Sequence, residues 1–176
     1  DILYCDPKDS KKRSDCIAVL NILLQCLIKW FAPILSFTTE EIYKLTNKSE
    51  EQNSIHLKKF DEIPENWKNE ELNTKWEKIK KIRDEANISI ESQRASKTIG
   101  SSLEADIQIK LNKNYYDVAN NNDFSEICIT SFATVTQDNE MKDDIHVACK
   151  KAEGNKCPVC WKISKTSCKK HGHLKI

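Results

Sequence analysis

The hydrophobic periodicity of this chain changes at Gly100, and that change constrains its fold more than any other feature. Before Gly100, apolar residues recur every three or four positions, which is the spacing of amphipathic helices. After it, apolar and polar residues alternate in ADIQIKL (105–111), EICITSFATV (126–135) and DIHVACK (144–150), as in half-buried strands. The sequence therefore predicts an α+β fold, in which a mainly helical bundle segment precedes a small three-stranded sheet module.

Three helices are predicted before Gly100. The first spans residues 10–32 and stops at Pro33, because proline cannot continue a helix. The second spans about residues 39–46, with Thr38 as its capping residue. The third spans residues 65–97, and we expect its mostly apolar face to pack in the core. That face comprises Leu72, Trp76, Ile79, Arg83, Ala86 and Ile90.

Composition and periodicity together predict three domains. Residues 1–98 are expected to be a helical domain, residues 99–152 a small α+β junction module, and residues 153–176 a zinc-finger tail. The formal net charge is +1, but residues 150–176 carry eight lysines and one acid, which gives +7, and the remainder carries −6. A positive charge confined to one short segment indicates a partner that is a polyanion.

The segment KCPVCWKISKTSCKKHGHLKI (156–176) contains the strongest candidate site. Cys157 and Cys160 have the two-residue gap of half a tetrahedral zinc site, and Cys168 and His171 repeat that gap. We predict a closed, structural Cys3His zinc knuckle, with His173 as the competing fourth ligand. Because the protein fills all four positions, no open position remains for a catalytic water.

Three other interpretations of the cysteines remain open. A redox Cys-x-x-Cys pair should follow a strand and open a helix, whereas this one follows a lysine-glycine segment. A disulfide between Cys157 and Cys160 would leave Cys168 unpaired. The segment could also be an unstructured lysine-rich tail with incidental cysteines.

Trp161, directly after the second cysteine, could be either the small core of the knuckle or a platform on which a nucleotide base stacks. The surrounding lysines are candidate phosphate contacts. They are Lys156, Lys162, Lys165, Lys169 and Lys170. A basic zinc knuckle with an aromatic ring points to nucleic acid, and to RNA loops in particular. We find no catalytic constellation: the sequence has no GxGxxG, Walker or GxSxG motif.

No run of about 18 apolar residues and no secretory leader is visible, so we expect no membrane segment and a cytoplasmic location. The dispersed cysteines, such as Cys16 and Cys149, fit reduced thiols in a reducing compartment. The chain begins at Asp1 rather than methionine, which predicts a fragment or a processed product.

The order of several motifs resembles the bacterial-type isoleucyl-tRNA synthetase family. These motifs are LYCD (3–6), WFAPILSFTTEEIY (30–43), SIHLKKFDEIPENW (54–67), LNTKWEKIKKIRDEAN (72–87), KTIGSSLEADI (97–107) and KAEGNKCPVCWK (151–162). They cover almost the whole chain. They resemble the end of the family's anticodon-binding helical domain, followed by its C-terminal zinc-finger region. The family usually has a cysteine as fourth ligand where this chain offers His171.

The resemblance implies a parent enzyme that attaches isoleucine to its tRNA using ATP. The catalytic domain, which would bind ATP and Mg²⁺, and the editing domain would lie upstream of this fragment. The fragment would be catalytically inactive, would hold the anticodon arm of an isoleucine-specific tRNA and would contact the upstream domains within a monomer. Two alternatives are an autonomous zinc-knuckle module that binds nucleic acid, DNA included, and a purely structural metal staple.

Overall fold

The computed structural model describes residues 2–47, 53–168 and 170–172. The chain divides into two compact units, Asp1–Lys68 and Asn69–Ile176. This division differs from the predicted domain limits at residues 98 and 152, which remain predictions. The α+β class is confirmed, because helices dominate the first half and a three-stranded sheet follows.

The first unit is helical. Helices α1 (Ile2–Cys5), α2 (Lys11–Phe31) and α3 (Ser36–Thr46) are followed by single 3₁₀ turns at Ile55–Leu57 and Glu65–Trp67. A small core holds α2, α3 and the first 3₁₀ turn together, and its buried residues are Ile28, Ala32, Tyr43 and Ile55.

Helix α3 begins at Ser36, so the prediction that Thr38 caps it is wrong. The turn after Phe31 continues directly into this helix, because Leu35 N donates to Phe31 O at 2.7 Å. Leu35 holds the cap position without a side-chain hydrogen bond, and its carbonyl accepts the Thr39 N–H at 2.9 Å. Thr38 therefore lies inside the first turn of the helix, where it cannot act as the cap.

Helix α2 is long and apolar enough to cross a membrane, judged by length and composition alone. It meets this criterion because no charged residue lies between Asp15 and Lys29. The expectation that the chain has no membrane segment is not contradicted by this finding and stays a prediction. The core helix of a soluble protein passes the same test, so this helix is weak evidence for a membrane span.

The second unit begins with α4 (Glu70–Ala95), which starts five residues later than predicted. Asn69 caps it by accepting the Leu72 N–H at 2.8 Å. The helix ends before Lys97, whose φ of 58° is left-handed and incompatible with further helical turns.

The buried face of α4 is rotated from the predicted one. Ile82, absent from the predicted face, is completely buried, whereas Leu72 and Trp76 are 48% and 44% exposed. The residues of α4 that join the core under the sheet begin at Ile79, whereas the first turns lie beside α5 and leave Leu72 and Trp76 partly exposed. The residues that do enter the core are Ile79, Ile82, Ala86 and Ile90.

The sheet has strand β1 (Ala105–Leu111) at its centre. Strand β2 (Phe132–Gln137) pairs with β1 in parallel, and β3 (Ile145–Lys151) pairs with its other side in antiparallel. The odd-numbered residues of β1 are buried, as its alternating sequence predicts. They join the buried residues of α4 in one core.

A crossover of two short helices, α5 (Lys113–Ala119) and α6 (Phe124–Ile127), connects the parallel strands β1 and β2. The prediction of a strand over residues 126–135 is therefore wrong in its first half. Phe124 and Cys128 are buried four positions apart, which is a helical spacing, and Ile129 has a left-handed φ of 55°. The alternation in EICIT reflects a helix end rather than a strand.

We predict that Ile82→Ala destabilises the second unit by about 2–5 kcal/mol, because it leaves a cavity beneath the sheet. The matched control is Ile88→Ala on the same helix, since Ile88 is 65% exposed. Urea unfolding followed by circular dichroism measures both variants. An equal loss of stability in the two would contradict this packing.

Candidate metal centre and nucleic-acid interface

A short hairpin carries the cysteine and histidine cluster. Its strands are β4 (Asn155–Lys156) and β5 (Ile163–Ser164), and they pair in antiparallel. Gly154 leads into β4 with a φ of 132°, and a Cβ atom there would lie 2.3 Å from the carbonyl oxygen of Ser164. Only glycine fits this approach of the two backbones.

The first two thiols lie in the turn of this hairpin. Cys157 N donates to Lys162 O at 2.9 Å, and Trp161 N donates back to Cys157 O at 2.9 Å. Trp161 closes the turn with a φ of 62°, which is uncommon for a residue other than glycine. Such a conformation costs about 1–3 kcal/mol and persists only where the surroundings enforce it.

The second pair of candidate ligands repeats this geometry. His171 N and Gly172 N both donate to the carbonyl of Cys168, at 3.2 and 2.8 Å. Gly172 has the same φ of 62° that Trp161 has in the first turn. The two turns thus present Cys157, Cys160, Cys168 and His171 from equivalent positions.

The four ligand atoms converge as the sequence predicts. Cys160 Sγ lies 3.7 Å from Cys168 Sγ, and His171 Nδ1 lies 3.5 Å from Cys157 Sγ and 3.4 Å from Cys168 Sγ. All four atoms lie within 4.8 Å of one another. A tetrahedral ion with the bond lengths of zinc requires about 3.8 Å between two sulfurs and about 3.5 Å between sulfur and nitrogen. The cluster therefore fits a tetrahedral metal ion.

The thiols differ in how readily they ionise. Burial opposes ionisation of Cys157, but the N–H groups of Cys160 and Val159 point at its sulfur and lower its pKa to about 6. Burial raises the pKa of Cys160 to about 11, and the neighbouring sulfurs of Cys157 and Cys168 add to that effect. Binding of a cation would favour the thiolate form of all three cysteines.

The structure favours the metal interpretation over the alternatives. The cysteines in the described part of the chain are free thiols, Cys157 and Cys160 included, so the disulfide is not formed. Cys157 and Cys160 lie in a hairpin turn and do not open a helix, which argues against a thioredoxin-like redox pair. The described residues of this segment form paired strands and turns, which argues against an unstructured tail.

Ser131 fastens this cluster to the sheet, a role that sequence reasoning missed. Its hydroxyl donates to Leu103 O and accepts the Ile163 N–H at 2.6 Å. Lys162 Nζ donates to Ser125 O at 3.3 Å, which adds a second bond beside it. No sequence signal marked Ser131, because its partners lie 28 and 32 residues away.

The hairpin and the two turns, residues 154–168 and 170–172, are called the metal module below. Three of the four candidate lysines that the structure describes on it have acidic neighbours. Lys156, Lys165 and Lys170 form ion pairs at 3.9, 3.6 and 3.6 Å. Their partners are Glu104, Glu153 and Glu126, respectively. Lys169 and the competing ligand His173 lie outside the described residues.

The Trp161 ring faces solvent, with 59% of the residue exposed. It is therefore not an enclosed core for the knuckle; the three thiols and Ile163 are buried instead. Lys156 Nζ lies 5.9 Å from the centre of the ring, within the range of a cation–π contact. The module thus presents an aromatic surface beside a cation.

The chain is similar to known tRNA ligases. Residues 1–109 match the family model described as "Anticodon-binding domain of tRNA ligase". The isoleucine–tRNA ligase of Pelagibacter ubique is 60% identical over 171 residues, which cover 97% of this chain and 18% of that protein. Those of Agrobacterium fabrum and Bartonella henselae are 40% and 38% identical over 173 residues, and each match covers 93% of this chain.

This chain spans only 18% of the length of these curated relatives. The matched regions include the module that carries Cys157 and Trp161, because up to 97% of the chain is aligned. The family model ends before that module, at residue 109.

We predict that His171→Ala weakens zinc binding by more than the roughly 10–100-fold that loss of an outer-sphere partner costs, because it removes a direct ligand. His173→Ala is the matched control and should leave the affinity unchanged. Competition with a chromophoric chelator measures affinity, and native mass spectrometry measures the expected stoichiometry of one ion. Loss of zinc in the His173 variant alone would identify that residue as the ligand.

Proposed function

This chain belongs to the family of anticodon-binding domains of tRNA ligases, and we propose that it binds the anticodon arm of an isoleucine-specific tRNA. The parent protein would be an isoleucine–tRNA ligase, which attaches isoleucine to its tRNA using ATP. Because the chain spans 18% of such enzymes, ATP and Mg²⁺ would bind elsewhere in the parent. The isolated chain would bind tRNA without catalysing ligation.

The exposed ring of Trp161 is the observation that carries this proposal. A buried tryptophan would serve the fold alone, whereas a ring that is 59% exposed is open to a nucleotide base. Bases of single-stranded RNA loops stack on such rings, and an anticodon loop offers unpaired bases. The amine of Lys156, 5.9 Å from the ring centre, would lie close to the phosphates of a stacked nucleotide.

The lysines divide into two groups under this proposal. Lys165 and Glu153 are 70% and 83% exposed, so their ion pair contributes little and a phosphate can displace it. Lys156 is similarly exposed at 52%. Lys162 and Lys170 are held by groups of α6, and we assign them to positioning the module as well as to raising its positive potential.

One structural Zn²⁺ is the cofactor we propose. Cys157, Cys160, Cys168 and His171 would hold it, and the ion would supply a fixed geometry rather than a reactive water. Its ligands precede the two left-handed residues of the turns, so the metal would maintain the backbone that exposes the Trp161 ring.

The first unit has the surface of a segment that belongs to a larger protein. Helix α2 exposes about half of several large apolar side chains, more than a domain folded in isolation usually leaves uncovered. They include Val19, Leu23, Leu27, Trp30 and Phe31. We propose that other helices of the parent ligase cover them, within a cytoplasmic monomer.

The second candidate function of the metal module is purely structural: it would act as a metal staple that stabilises the fold without contacting tRNA. The bonds from Ile163 to Ser131 and from Lys162 to Ser125 favour it, because they tie the module to the sheet without any ligand. The two functions predict different tRNA affinities after an exposed side chain is removed: the affinity falls if the module binds tRNA and is unchanged if the module is only structural.

We predict that Trp161→Ala weakens binding of the isoleucine tRNA to this chain about 5–150-fold, the cost of losing a stacked base. Trp161→Phe should restore most of the affinity. The matched control is Val159→Ala, since Val159 is a 49% exposed apolar residue on the same turn. Filter binding at fixed salt measures the affinities, and zinc content verifies folding. Unchanged affinity in Trp161→Ala would favour the staple.

We predict that Lys165→Glu lowers the salt dependence of tRNA binding as well as the affinity, because each phosphate contact releases condensed counterions. The slope of log K against log salt should fall by about 0.7–0.9 for that contact. Lys80→Glu, on the exposed side of α4, is the control. Equal slopes for Lys165→Glu and the unmodified chain would show that Lys165 does not contact a phosphate of the tRNA.

A further inference from the structure

Strand β3 has one open edge. The sheet order is β2-β1-β3, so β3 pairs with β1 alone. Asn112 N donates to Asp144 O at 3.0 Å, and Ala152 N donates to Glu104 O at 2.7 Å, at opposite ends of this ladder. Because bonded and non-bonded pairs alternate in antiparallel strands, even-numbered residues of β3 bond to β1. The backbone groups of its odd-numbered residues therefore point away from the sheet.

These outward groups have no partner in the part of the chain that the structure describes. No hydrogen bond beyond the β1–β3 ladder involves the backbone of Ile145, Val147 or Cys149 among residues 2–47, 53–168 and 170–172. Proteins usually protect such edges with proline, a bulge or a charged side chain. Here lysines occur only at the end of the strand, as Lys150 and Lys151.

The open edge forms one wall of a groove, and α4 forms the other. The groove has a volume of about 930 Å³, which is large enough for a peptide. Ile88 contributes an apolar surface on the helix wall and is 65% exposed. Tyr115 of α5 and the half-buried Ile145 and Val147 add further apolar atoms.

The groove is acidic. Asp84 and Glu85 line it from α4, and Asp143 and Asp144 line it beside the start of β3. Lys81 is the lysine among its lining residues, and His146 is the histidine. Within the described residues, no ion pair compensates Asp84, Glu85 or Asp143. The groove therefore carries a net negative charge beside the unpaired edge of β3.

We propose that this groove binds an extended peptide segment of a partner protein, rich in lysine or arginine, which adds a strand beside β3. In this mode of recognition, backbone hydrogen bonds provide affinity and alternate side chains provide specificity. Strand β3 has seven residues, so a segment of similar length would pair along it. Side chains directed towards α4 would meet Ile88 and the carboxylates of Asp84 and Glu85.

The negative charge of the groove distinguishes between three possible occupants: a second copy of the chain, RNA and a cationic peptide. A second copy of the chain, paired through its own β3, would bring the same carboxylates together, and like charges across an interface oppose binding. RNA would be repelled for the same reason. A cationic extended segment is the occupant that the acidic lining attracts, and this surface is distinct from the metal module.

The test uses a fluorescein-labelled peptide of four lysine-valine repeats, with both ends blocked, and measures its binding to the chain by fluorescence anisotropy. Asp84→Lys combined with Glu85→Lys should weaken binding at least about tenfold, because it reverses the charge of the helix wall. Asp117→Lys, an exposed charge reversal on α5 outside the groove, should change it less than twofold. Urea unfolding verifies that each variant is folded.

Two further measurements test strand addition itself. A peptide methylated on every backbone nitrogen should lose binding, because neither of its edges can then donate to β3. The amide NMR signals of Val147 and Cys149 should shift with the unmethylated peptide. Equal binding of the methylated peptide, equal binding by the charge-reversed variant, or no binding at millimolar peptide would overturn the proposal. Binding to the chain but not to the full-length ligase would also overturn it, because another segment of the same protein would then fill the groove.

Discussion

Burial of one face of α4 against the three-stranded sheet is the interaction on which the second unit depends. Ile82 and Ala86 of the helix lie in one cluster with Ile107 and Ile109 of the strand, and all four are completely buried. A sheet of three strands is stable only with such an apolar cover. The metal module and the edge groove both take their positions from this packing, because one is fastened just before β2 and the other lies between α4 and β3.

The features predicted correctly from the sequence are those set by local spacing. Strand β1 was predicted over its full length, because alternation of apolar residues is unambiguous in a strand with one buried face. The convergence of Cys157, Cys160, Cys168 and His171 is predicted because the two-residue gap in each of two turns determines how closely the side chains approach. Metal binding by this cluster stays a prediction. Cys157 and His171 are 14 residues apart. The spacing within each turn nevertheless sets the positions of its own two side chains, independently of the other turn.

The features that local patterns could not predict depend on tertiary neighbours. The apolar alternation before β2 is equally compatible with a helix end, and only the burial of Phe124 and Cys128 in the same core distinguishes the two. The lysine-rich segment has a net charge of +7, but Glu104 and Glu126 come from the preceding module and reduce the potential that its lysines present. The acidic groove was invisible because the strand order differs from the chain order.

The attachment through Ser131 has a consequence for how the molecule assembles. The hairpin of the metal module has strands of two residues, too short to persist in water on its own. All three strands of the larger sheet precede Cys157 in the chain, so the surface that receives the module can form without metal. If the cluster binds the proposed Zn²⁺, assembly would then be hierarchical: the sheet would fold first, and metal binding would order the hairpin afterwards.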